Sequence, residues 1–121
     1  MPLLSITLLI IVATSLTSLL AFGSRETMDK LIMRPYAVKH HKEYYRFLSS
    51  GFIHANWPHL ILNMLVLWSF GRVVEYYYRE VFGPMAITYF LLLYLLGMIV
   101  ADIPTYLKHL NHPAYGSLGA S

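Results

Sequence analysis

Glu43-Tyr44-Tyr45-Arg46-Phe47-Leu48-Ser49-Ser50-Gly51-Phe52-Ile53-His54-Ala55-Asn56-Trp57-Pro58-His59-Leu60-Ile61-Leu62-Asn63, running on to Trp68-Ser69-Phe70-Gly71, sets polar side chains into an apolar stretch. His59 and Asn63 are four residues apart, so on a helix both project from one face, about one turn from each other. Their neighbours Leu60, Ile61, Leu62, Met64, Leu65, Val66, Leu67 and Trp68 are apolar. An imidazole and a carboxamide in such a helix must find partners or a wet cavity, because an unsatisfied polar group in hydrocarbon costs several kcal/mol. Polar residues inside an apolar helix therefore point to function.

Working outward, the whole chain reads as a membrane protein. Of its 121 residues 57% are hydrophobic and only 12% charged, against roughly 25% charged in soluble domains, and the mean hydropathy is +0.54. The absence of cysteine excludes disulfides and thiolate zinc sites. A net charge of +3, with scattered basic residues and no basic run beside aromatic platforms, gives no support to a nucleic-acid partner.

Residues 3–22 carry no charge and number about 20, enough at about 1.5 Å per residue to cross a hydrocarbon core of about 30 Å. The alternative is a signal peptide, since Ala21-Phe22-Gly23 resembles a small-x-small cleavage site. Only Met1 and Pro2 precede the apolar run, however, so a basic leader is missing. Residues 23–57 form a first loop with six basic residues (Arg25, Lys30, Arg34, Lys39, Lys42, Arg46) and three acids. At about 35 residues it is long for a structureless connection, so it should hold short helices or lie partly in the membrane interface; the alternative is a solvated loop.

A second span is expected over 58–78, with Asn56 as N-cap, Pro58 in the first turn, and Arg72, Glu75, Arg79 and Glu80 at its far end. Gly83-Pro84 marks a turn. The third span is expected over 84–103, broken by Gly97, which would let a neighbouring helix approach, and closed by Asp102, Pro104 and Lys108. Charge counting alone puts the first loop on the cytoplasmic side. The last segment, 104–121, is rich in small residues and ends Gly119-Ala120-Ser121, the beginning of a Gly-x-Ser-Gly nucleophile turn. Alone, that tripeptide is common.

Taken together, the pattern His54-x-x-x-x-His59-x-x-x-Asn63, the flanking Tyr-Arg-Phe-Leu and Trp-Ser-Phe-Gly-Arg-Val-Val-Glu segments, Tyr94-Leu95-Leu96-Gly97 and Gly119-Ala120-Ser121 resemble the rhomboid family of intramembrane serine proteases. The resemblance implies an all-α polytopic membrane protein, here the first three transmembrane helices of a six-helix bundle with a long, partly membrane-embedded first loop. It implies Ser121 as the nucleophile, and Asn63 and His59 as side chains that stabilise the oxyanion together with the backbone N–H of Ser121. His54 is implied as a structural support for His59. No cofactor and no metal are implied. The partners are transmembrane-helix substrates, the lipid bilayer and the C-terminal half of the core, and the location is a bacterial inner membrane crossed several times. The family's first loop lies outside, which overrides the charge count.

Two departures from the family pattern stand out. Tyr45-Arg46 replaces the usual Trp-Arg, and no general-base histidine follows Ser121. A serine hydroxyl without an adjacent base is a poor nucleophile, and nothing in the sequence fixes His109 or His112 toward Ser121. The chain as it stands is therefore expected to be catalytically incomplete. Three rival readings remain: a client-binding rhomboid pseudoprotease, a metal-binding or transport protein, and a bundle in which His59 and Asn63 only tie helices together. The second is disfavoured because His54 and His59, five apart, lie on different helix faces and Asn is a poor zinc ligand. In the third, such ties are worth about 0.6 kcal/mol each.

Overall fold

The computed structural model describes residues 5–54 and 56–117. Among these residues the chain is helical without a β-strand: α1 (Ile6–Phe22), α2 (Arg25–Leu31), α3 (Pro35–His41), α4 (Arg46–Ser49), α5 (Trp57–Phe82) and α6 (Ala86–Lys108), with 3-10 turns at Ser50–Phe52 and Gly83–Met85.

Helix α1 starts where the Ser5 hydroxyl accepts a hydrogen bond from the Leu8 N–H, and it ends at Gly23. Its sides are the reverse of those of a soluble amphipathic helix. Thr7, Thr14 and Ser18 are buried against the bundle, while Leu8, Leu9, Val12, Leu16, Leu19 and Leu20 face outward. Water would reward the opposite arrangement; a hydrocarbon surround rewards this one, since hydroxyls need partners and leucines do not.

At the start of α1, the Ser5 and Thr7 hydroxyls meet their partner in Glu75. Its Oε1 accepts from Ser5 Oγ at 2.7 Å, from Thr7 Oγ1 at 2.9 Å and from the Thr7 N–H at 2.9 Å, while its Oε2 receives Arg79 at 3.0 Å. Four donors on one buried carboxylate bolt the start of α1 to the far half of α5. Beside this bolt, a Cβ on Gly71 would lie 2.7 Å from Thr7 Cγ2, so glycine sets how closely the two helices pack. At the other end Phe22 meets Trp57, with ring centroids 5.6 Å apart. The helices are therefore antiparallel.

Helix α5 is capped as the sequence indicates, the Asn56 side chain accepting from the His59 N–H at 3.0 Å. It runs past Tyr78 to Phe82 and stops at Gly83, whose φ of +56° and ψ of −125° few L-residues adopt. Helix α6 then returns alongside, Phe90 against Tyr78 and Tyr89 against Phe82. The expected break at Gly97 does not occur: α6 passes through both Gly97 and Pro104 to Lys108. A glycine inside a helix weakens it by only about 1 kcal/mol, which the surrounding apolar turns absorb. Nor does a neighbour pack on Gly97, since nothing among the described residues lies within 4 Å of where its Cβ would be. Asp102, read in the sequence as an end marker, instead turns inward and accepts from Ser50 Oγ at 3.1 Å.

The first loop holds its own short helices, organised by Arg46. This buried guanidinium donates through Nε to Glu43 at 2.8 Å and through Nη1 to the carbonyls of Asp29 at 2.9 Å and Ile32 at 2.7 Å. Tyr45 adds a bond from its hydroxyl to the Lys30 carbonyl, and Ser49 one to the Leu31 carbonyl. The last turn of α2 is thereby laced to α4.

Replacing Glu75 with Ala leaves Arg79, Ser5 and Thr7 without their acceptor, and should cost about 3 kcal/mol. The expected result is a clear drop in the thermal unfolding midpoint in detergent micelles; a midpoint equal to wild type contradicts this role. A methyl group placed on Gly71 should cost about 1–3 kcal/mol by overpacking against Thr7, read in the same assay.

Candidate functional site

His54 is buried just ahead of α5. The Ser18 hydroxyl donates to the Phe52 carbonyl at 3.1 Å and lies 3.3 Å from His54 Nδ1. A hydroxyl has one proton, so with that proton on Phe52 it accepts from His54, and this network assigns the proton to Nδ1. Nε2 is then left with its lone pair. The ring packs edge-on against His59, centroids 5.2 Å apart. Burial, and secondarily the neighbouring His59, push the His54 pKa below its ordinary 6.5.

His59 occupies the first turn of α5, half-buried, and Asn63 follows one turn later, also half-buried. Asn63 and His54 line a groove of about 550 Å³ between the first loop, α5 and α6. Its other walls are apolar side chains, including Met64, Leu67, Phe90 and Met98, with Tyr94 as a further polar tip. Gly51, on the 3-10 turn, lets Met98 press onto the loop backbone, where any Cβ would collide with the Met98 sulfur. Gly51 and Met98 thus bring the 3-10 turn and α6 together on the wall of the groove.

Ser121 lies outside the described residues. The segment leading to it is described as far as Ser117, which forms an isolated antiparallel bridge with Met33: the Met33 N–H donates to the Ser117 carbonyl at 2.7 Å, and the Ser117 N–H to the Met33 carbonyl at 2.9 Å. Met33 is fully buried. The first loop and the terminal segment are therefore tied backbone to backbone. Sequence reasoning missed this bridge, which no periodicity announces, and it missed the Glu75 acceptor. The latter had a signal: hydroxyls at Ser5 and Thr7 in an uncharged helix must reach an acceptor, and Glu75 stands four residues before its counter-ion Arg79. Among the described residues no group of three or more His, Asp or Glu side chains could hold a metal ion.

Hydroxyls turned inward and leucines turned outward on α1, beside a helical stretch from Trp57 to Lys108 that is by length and composition apolar enough to cross a membrane, fit a helical membrane protein. The Rhomboid domain family model matches residues 41–121, well over half of the chain, and the chain belongs to that family. No curated protein and no solved structure matches it.

The His54 shift has a definite sign. Its folded pKa is lowered, so the unfolded state binds the proton more tightly, and stability is fully present above about pH 6.5 and falls as the pH drops below it. Unfolding midpoints should decrease from pH 7.5 to pH 5.5, and His54→Gln should flatten that dependence. An equal slope in the variant would assign the effect elsewhere.

Proposed function

We propose that the chain is the N-terminal part of an intramembrane serine protease that hydrolyses peptide bonds in or next to transmembrane segments. In this reading α1, α5 and α6 are its first three spans, in a bacterial inner membrane, with the first loop on the outer side. The observation that carries the proposal is the Asn63 carboxamide opening, beside the buried His54, onto a groove between helices, in a chain whose family match runs to Ser121.

Each step follows from the chemistry of the side chains. Ser121 attacks the scissile carbonyl. Asn63 and His59 donate to the oxyanion that forms, where fixed donors in a low-dielectric site need no reorganisation as charge develops. A helix beyond Ser121 supplies the histidine that takes the hydroxyl proton and returns it to the leaving amine, and then activates the water that cleaves the acyl-Ser121 ester and frees the serine. The same later helices cover the open side of the groove. A substrate helix must unwind locally before its carbonyl can be reached, because its backbone groups are otherwise bonded internally. Small residues at the cut and helix-weakening residues nearby fit that need.

Labelling of the full-length polypeptide with a fluorophosphonate in detergent, followed by peptide mapping, tests the reading. Covalent label on Ser121, absent from Ser121→Ala, is the expected result. A folded full-length protein that takes no label, where a known serine protease does, would instead be a pseudoprotease that binds transmembrane clients. Asn63→Ala should lower kcat on a transmembrane substrate by about 10²–10³-fold, the scale of a lost oxyanion donor.

A further inference from the structure

We propose that the surface formed by α3 and the C-terminal end of α6 binds the headgroup of an anionic phospholipid. The charges of this chain are divided unevenly. Glu26 pairs with Lys30, Asp29 with Arg34, Glu43 with Arg46 and Glu75 with Arg79. No acidic residue occurs in residues 30–42 or 103–121. Those two segments carry Lys39, Lys42 and Lys108, exposed and, among the described residues, in no ion pair.

The fold brings the two segments to one place. Lys39 Nζ donates to Asn111 Oδ1 at 3.4 Å, joining the last turn of α3 to the loop that follows α6. Lys42 ends α3 in the left-handed conformation, φ +56°, and Lys108 is the last residue of α6. Imidazoles flank the lysines on both sides, His40 and His41 on α3 and His109 and His112 after α6. All four lie against rings, most closely His40 on Tyr36 at 4.2 Å and His109 stacked on Tyr115 at 3.6 Å.

Position selects the ligand. Lys108 closes the long apolar run that begins at Trp57, so the cluster stands where hydrocarbon gives way to headgroups, with tyrosines of the kind that favour that depth. A phosphodiester without a compensating cation meets three lysine ammonium groups there, whereas the choline of a zwitterionic lipid brings a like charge to those lysines. Each Lys near an anionic surface adds to affinity, and three together should give a preference of about tenfold or more.

The inference rests on α5 and α6 crossing the bilayer, as in the proposed function. Its test is native mass spectrometry of the full-length detergent-purified protein titrated with phosphatidylglycerol or phosphatidylcholine. Wild type should retain phosphatidylglycerol about tenfold more strongly. The K39Q/K42Q/K108Q variant should lose that preference at an unchanged unfolding midpoint, and the R25Q/K30Q variant, which removes cations from α2, should keep it. No preference in wild type, or a preference surviving in the triple variant, overturns the proposal, as does displacement of the lipid by an equal concentration of free glycerophosphate. Carbonate extraction of membranes reports the spans separately. Protein that stays in the membrane but shows no lipid preference refutes this inference alone; protein that is extracted refutes the spans.

Discussion

Arg46 is the interaction on which the rest of the first loop depends. A guanidinium removed from water must replace its lost hydration, and here it does so with one carboxylate and two backbone carbonyls. Hydrogen bonds to a charged group contribute about 1.5–3 kcal/mol each, and leaving such a group unpaired costs more. Three donors in a fixed fork also hold their acceptors at set positions, which a lysine could not do. The end of α2 is thereby fixed relative to α4. Met33, directly after the Ile32 carbonyl that Arg46 holds, can then act as a rigid docking point for Ser117. A single side chain thus reaches, through one backbone bridge, the segment that leads to the proposed nucleophile.

A second buried charge performs the same office inside the bundle. Glu75 receives four donors from α1 and from its own helix. Two glycines permit the close approach these ties require, Gly71 under Thr7 and Gly51 under Met98. Helices that meet lipid on their outer faces gain little from apolar burial against one another, so polar ties and close packing must hold them. The groove bearing Asn63 is what these ties leave open, bounded by the first loop and by the α5 and α6 hairpin.

Much of this was legible in the sequence, for physical reasons that can be named. The apolar runs announce the long helices, Asn56 caps α5 as its chemistry dictates, and the length of the first loop points to short helices or an interfacial segment, of which the structure shows the helices. The pattern His54, His59 and Asn63 led to the rhomboid family, and the family match agrees. What escaped was long-range pairing. Gly97 looked like a break, yet one glycine cannot interrupt a helix supported by apolar turns on either side. Asp102 and Glu75 looked like ends of spans because charge usually marks an interface, but each faces a hydroxyl from a distant segment, Ser50 for one and Ser5 and Thr7 for the other. Spacing along the chain carries no record of such partners.

Amide hydrogen exchange in the full-length protein tests whether Arg46 holds the first loop so that Met33 can anchor the segment approaching Ser121. Peptides containing Met33 and Ser117 should be protected together in the wild type, and both should lose protection in Arg46→Ala while peptides from the middle of α5 and α6 keep theirs. Protection at Met33 and Ser117 that persists without the guanidinium would contradict the account.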